Sequence, residues 1–218
     1  MIPKVGCVVL TMGKRPEELA RSVKSLLTQT GVEAHIVVAG NGWKPVDLPA
    51  GVQAHWIEKN IGATAGRNAG AEVAKGDYLL FLDDDAQLPT PTTLADLIST
   101  IAPDKKAALV QPRVIDYAGV SEPKARVPRL RAGDINQSGP ATSLWEGGVA
   151  IRRDVFEQIG GWGPEYFYLH EGIELCWRTW NTGHMVWYAG NIAVAHPPST
   201  PERFGEFAFI NGRNRVWL

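Results

Sequence analysis

The sequence predicts an α/β fold, a mostly parallel sheet with helices on both faces, and three observations carry that prediction. Short apolar runs alternate with helix-period segments through residues 1–115, the pattern of strands joined by helical crossovers. One run, residues 78–82, is almost wholly apolar, as a strand buried on both faces must be, and it ends in three consecutive carboxylates, Asp83, Asp84 and Asp85. The chain has 218 residues, 44% of them hydrophobic, which suffices for one substantial packed domain.

Residues 5–10 read as a buried first strand. Pro16 opens a helix, because its fixed φ suits the first turn, and Leu19, Val23, Leu26 and Leu27 recur at helical spacing as its apolar face. Residues 34–39 form a second strand ended by the turn signal Gly40-Asn41-Gly42, and residues 52–57 a third. A helix over 63–74 leads to the strand at 78–82; a helix over 92–101 and a strand over 107–114 complete the alternation. The second half differs. Residues 116–140 are polar, rich in Pro and Gly, and carry Lys124, Arg126, Arg129 and Arg131; a loop of that length is read as a segment that orders over the site when ligand binds. Residues 145–152 then read as a strand, Asp154 caps a short helix broken by Gly160-Gly161, and a helix over 171–181 stops at Gly183. Residues 185–189 and 192–195 read as two short strands, and residues 207–218 as a last helix.

Composition excludes several classes. Lys and Arg total 22 against 23 for Asp and Glu, so no global basic field points to nucleic acid as a partner. No apolar run approaches transmembrane length, and the N-terminus leads into a strand rather than a signal peptide. Cys7 and Cys176 sit in apolar surroundings, which predicts buried free thiols in a reducing cytoplasm.

The carboxylate triplet is the strongest chemical signal. Like charges at the end of a buried strand repel and lose solvation, and a hard divalent cation, Mg2+ or Mn2+, offsets that cost through oxygen ligands. Strand ends of open α/β sheets are also where such folds bind ligands. The plain alternative is a solvated acidic turn. Between Asn60 and Gly76, the small residues Gly62, Ala63, Ala65, Gly66, Ala69 and Gly70 permit either a ligand or a neighbouring strand to approach the backbone. Arg67 and Asn68 are the long polar side chains there, and the dinucleotide GxGxxG fingerprint is absent. Glu171 and Glu174 lie three apart, on one face of a helix, beside His170, and His196 follows a strand directly.

Taken in order, these segments resemble the family 2 glycosyltransferases of the GT-A fold. VVLTMGKRPEELARSVKSLLTQ is similar to their opening strand and helix, NIGATAGRNAGAEVAKGDYLLFLDDDA to their N-x-G, R-N-x-G and DxD segment, and EGGVAIRRDVFEQIGGW to their acceptor-side strand and helix. HEGIELCWR resembles their E-D-x-D-L-x-x-R helix, and GRNRVWL their late Arg-Asn-Arg segment. The resemblance implies a single catalytic domain over 1–218, with 1–115 binding the nucleotide sugar and 116–218 facing the acceptor. It implies an inverting, metal-dependent transfer from a nucleotide-diphosphate sugar to a hydroxyl of a glycan or lipid-linked acceptor. It further implies a cytoplasmic protein at the inner membrane face.

Residue by residue, the resemblance makes Asp83, Asp85 and His196 the metal ligands. Thr11, Arg15, Asn41, Gly62, Arg67 and Asp84 fall on the nucleotide side, and Arg213 and Arg215 where the diphosphate or acceptor is met. Two departures stand out: Asn41 replaces the usual base-reading Asp, and Gly172 replaces the Asp that usually serves as catalytic base. The expected base is therefore Glu171, with Glu174 as its competitor. The alternatives are a sugar-1-phosphate nucleotidyltransferase, disfavoured because residues 12–16 hold one Gly, and a non-catalytic carbohydrate-binding relative. Because relatives continue past the Arg-Asn-Arg segment, the resemblance also implies a trimmed core ending at Leu218.

Overall fold

The computed structural model describes residues 1–120, 134–198 and 205–218. A mixed eight-stranded sheet runs in the order β3-β2-β1-β4-β7-β5-β8-β6. Its strands are β1 (Lys4–Thr11), β2 (Glu33–Asn41), β3 (Val52–Ile57), β4 (Tyr78–Asp83), β5 (Ala107–Ile115), β6 (Gly139–Pro140), β7 (Gly148–Arg152) and β8 (Met185–Ala195). Pairings β1·β2, β1·β4, β2·β3 and β5·β8 are parallel, whereas β7 runs antiparallel between β4 and β5, and β6 antiparallel to β8. The second half of the chain thus inserts β7 into the sheet of the first half.

Strand periodicity sorts the core into two layers. Val5, Cys7 and Val9 of β1 and Leu80 and Leu82 of β4 pack with α1 (Pro16–Leu27) and α3 (Thr93–Thr100) on one face. Val8, Leu79 and Phe81 face α2 (Ala63–Val73), α4 (Arg153–Gln158) and α5 (Glu171–Asn181) on the other. A final helix, α6, spans Glu206–Trp217. Helix α2 lies close on β1: a Cβ at Gly66 would stand 2.7 Å from Leu10 and one at Gly70 would collide with Val8, so these glycines serve helix–sheet packing. Cys7 and Cys176 are free and buried, and burial pushes the Cys7 thiol up to about 12.

Several boundaries differ from the sequence reading. Gly40 and Asn41 complete β2, and the turn falls on Gly42, at φ 77°. Leu27 is 43% exposed at the end of α1, outside its buried stripe of Leu19, Val23 and Leu26. Asp154 lies inside the first turn of α4, where its Oδ1 accepts the Val155 N–H, and Arg152 precedes the helix. β7 begins at Gly148, leaving Trp145, Glu146 and Gly147 outside it at the carboxyl end of β4. The two short strands expected after α5 are one strand, β8, with a register shift at Pro112/Arg113 of β5. Within it, a Cβ at Gly190 would stand 2.5 Å from the Asn136 backbone, so this glycine admits a crossing segment rather than ending the strand. Of the expected ordering segment 116–140, residues 121–133 lie outside the described residues.

Candidate active site

β1 and β4 end side by side, pairing Leu10 with Asp83, and deliver Thr11 and the three aspartates to the carboxyl edge of the sheet. There the aspartates part company. Asp84 accepts the Thr11 hydroxyl at 2.6 Å and lies 3.3 Å from an Arg15 nitrogen. Burial raises its pKa, against the pull of Thr11 and Arg15. Asp85 is buried, ion-paired with Arg15, and its Oδ1 stands 3.2 Å from His196 Nε2. β8 carries His196 there: its N–H bonds the Ile115 carbonyl at 2.9 Å, and its ring stacks edge-on to Trp145 at 4.9 Å. Ligand atoms of Asp83, Asp85 and His196 all lie within 4.8 Å of one another. Two carboxylate oxygens and an imidazole nitrogen so placed fit a small divalent cation.

Arg67, projecting from α2, is 6% exposed and ties the edge together. Its guanidinium donates to Asp83 and to Glu171, each at 3.1 Å, and lies over the Trp162 ring at 5.1 Å. Burial alone would lower its pKa, but Asp83, Glu171 and Glu146 hold it above the ordinary value. Glu171, the first residue of α5, is 2% exposed, and its second oxygen, Oε2, is buried without a partner.

Two adjoining clefts meet at Arg15, Arg67, Asp83 and Tyr168. One, of about 590 Å3, is lined by Glu146, Glu171, Asp85 and His196; the other, of about 510 Å3, by Thr11, Asn41, Gly62 and Asp84. The sequence-derived metal residues therefore face one space and most of the nucleotide-side residues the other. Asn41 is buried and spends its amide on the turn before α2: its NH2 donates to Asn60 Oδ1 at 2.9 Å and to the Gly62 carbonyl at 3.0 Å, and its oxygen accepts the Ile61 N–H. Gly62 adopts φ 90°, and a Cβ there would stand 2.6 Å from the Phe167 ring.

Three expected residues stand elsewhere. Glu174 forms an ion pair with Arg178 one turn along α5 and does not line either cleft. Arg213 spends its guanidinium on the carbonyls of Glu165 and Tyr166 and on the face of Trp217. Arg215 points to solvent from α6. What the Arg-Asn-Arg segment contributes is Asn214, fully buried, whose amide donates to the carbonyls of Tyr166, Tyr168 and Leu169. It thereby holds a wall of both clefts in which Phe167, Leu169 and His170 all adopt positive φ. Sequence reasoning also passed over Glu146, whose carboxylate accepts the Gly172 N–H at 2.9 Å. The signal available was one acidic residue inside the otherwise apolar and glycine stretch LWEGGVAI.

A family model described as glycosyl transferase family 2 matches residues 7–160. Among curated proteins, the pre-mycofactocin glycosyltransferase of Mycobacterium tuberculosis is 28% identical over 210 residues, covering 90% of this chain and 43% of that protein. The glucosyl-dolichyl phosphate glucuronosyltransferase of Haloferax volcanii is 27% identical over 217 residues, covering 88% and 69%. This chain thus spans less than half the length of the mycobacterial relative. Among solved structures, GalNAc-T7 with UDP, GalNAc and Mn2+ superposes with a TM-score of 0.73 at 19% identity, covering 92% of this chain and 45% of that one. The shared architecture is the GT-A fold.

Proposed function

This chain belongs to glycosyl transferase family 2, and from that premise we propose that it moves a sugar from a nucleotide-diphosphate donor to a hydroxyl acceptor, inverting the anomeric centre. The observation that carries this reading is the grouping of Asp83, Asp85 and His196 in the larger cleft, with Asp83 on its border with the second. Mg2+ or Mn2+ bound by these three residues would supply charge to offset the departing diphosphate. The chain's own groups do the rest. Asn41 and Gly62 shape the nucleoside side, Thr11 and Arg15 fix Asp84, and Arg67 holds Asp83 and Glu171 in place through an ion pair to each. The donor sugar then lies toward the larger cleft, where an ionised side chain takes the acceptor proton.

The GalNAc-T7 structure was solved with UDP and Mn2+, which supports a nucleotide–metal pair here. The acceptor class on this reading is a lipid-linked or cell-envelope glycan, supported by the archaeal relative's name, which specifies a glucosyl-dolichyl phosphate. Peripheral association with the inner membrane face belongs to the same proposal; no helix among the described residues is long and apolar enough to cross a membrane. A thermal-shift screen with UDP, GDP and dTDP, each with and without Mn2+, tests the site, because a ligand that binds only the native state raises the midpoint. One nucleotide should stabilise the chain in a Mn2+-dependent way, and the matching nucleotide sugars should then be turned over, with NMR of the product reporting the anomer. Absence of both a shift and turnover would overturn the reading.

A further inference from the structure

Helix α5 opens Glu171-Gly172, and the space in front of Gly172 is filled. A Cβ at position 172 would collide with Glu146 Oε1 and stand 2.7 Å from the Leu144 carbonyl oxygen. The Gly172 N–H donates to the same Oε1 at 2.9 Å, so a carboxylate from a loop 26 residues earlier is anchored where a helix side chain would stand. That loop is fixed in turn: the Gly147 carbonyl accepts the Asp83 N–H at 3.0 Å, and the Trp145 N–H donates to Gln111. Glu146 lines the same cleft as Asp83, Asp85 and His196. The two carboxylates of α5 each have an Arg partner. Glu171 is 2% exposed and held by Arg67, and Glu174 faces Arg178 away from the cleft.

We infer that Glu146 is the catalytic base of this chain, supplying from the loop before β7 the carboxylate that Gly172 does not. The inference rests on the inverting-transfer reading above. In the step, the acceptor O–H gives its proton to the Glu146 carboxylate as its oxygen forms the new bond to the anomeric carbon. The bond from that carbon to the diphosphate oxygen breaks, and its electron pair leaves with the nucleoside diphosphate. Glu146 ends protonated and releases the proton to solvent. With Oε1 anchored by Gly172, the second oxygen is the one that accepts the proton.

The surroundings suit this role. Burial, then the adjacent Glu171, push the Glu146 carboxyl up to about 8, against Arg67 from α2 and the Gly172 N–H from α5. Cys176, also on α5, is itself pushed up by burial and stays a neutral thiol. A base that titrates near the working pH combines an adequate ionised fraction with proton affinity.

Glu146→Gln keeps the side-chain shape and the oxygen that Gly172 bonds, but it cannot take the proton. Transfer should fall by about a hundredfold or more while Mn2+-dependent affinity for UDP or GDP stays at the wild-type value. Wild-type turnover should rise with pH to a plateau through an apparent value near 8, and that limb should be absent from the residual rate of the variant. Glu146→Ala should be equally impaired. An E146Q variant that transfers at the wild-type rate overturns the assignment. A wild-type chain that turns over no nucleotide sugar overturns the transferase reading itself, and product with retained anomeric configuration overturns the inverting step on which the assignment rests.

Discussion

The two clefts that meet at Asp83 are built from different materials. The one beside Thr11 and Asn41 adds backbone and neutral groups to the shared Arg15, Arg67 and Asp83 and to Asp84: the amide of Asn41 is satisfied by the turn at Asn60 and Gly62, and Gly62 makes room for Phe167. The one beside His196 gathers ionisable groups, with Glu146, Glu171, Asp83 and Asp85 set against Arg67 and Arg15. The first arrangement is pre-paired and rigid, suited to recognising a shape. The second holds more carboxylates than cations, the balance that the proposed metal and proton transfer call for. Arg15, Arg67, Asp83 and Tyr168 form the border between the two.

The sharpest test of that division is Arg67, which serves both sides. Arg67→Met leaves Asp83 and the buried Glu171 unpaired, and removing one member of a buried charge cluster costs about 3–5 kcal/mol. Denaturant melts should show a loss of that size; a loss below about 1 kcal/mol would mean that the guanidinium is no keystone. Asp85→Asn comes next. Loss of one charged metal ligand should lower Mn2+-dependent turnover by about a hundredfold or more without lowering the melting temperature of the metal-free chain. Asn41→Ala touches only the cleft beside Thr11: it strands the Ile61 N–H and costs about 1–3 kcal/mol in stability, with nucleotide affinity weakened and the pH profile of turnover unchanged. A shifted pH profile would show that the clefts are not separate. The smallest effect belongs to Glu174→Gln, where a partly exposed i,i+4 pair contributes less than about 1 kcal/mol and transfer should match wild type.

The parts of this site legible in the sequence are those whose signal is local. An apolar strand run followed at once by Asp83, Asp84 and Asp85 marks both the strand and a candidate site, whereas His196, a lone histidine after a strand, became a ligand candidate only through the family resemblance. Glu146 was not legible, because its role depends on the space above Gly172, and a sequence shows that a side chain is missing without showing what fills the gap. Arg213 and Arg215 were assigned from a motif, yet helix α6 turns one toward the carbonyls of Glu165 and Tyr166 and the other outward. Between them Asn214, with no charge to draw notice, makes the inward bonds. The fold followed the same rule. The alternating first half was read element by element, whereas β8 was split in two because Gly190-Asn191 has the composition of a turn.

The bonds of Asn214 also bear on how the site comes into being. Phe167, Leu169 and His170 hold left-handed backbone conformations that cost non-glycine residues of the order of 1–3 kcal/mol each. The donor that offsets this strain arrives from 45 to 48 residues later in the chain. Closure over such a separation is entropically slow compared with pairing neighbouring elements. The cleft wall therefore cannot mature with α5; it waits for α6 to dock. Native-state hydrogen exchange should reveal the same dependence in reverse, with amides around Leu169 opening whenever α6 detaches, while β1 and β4 beneath them stay protected to the limit of global unfolding.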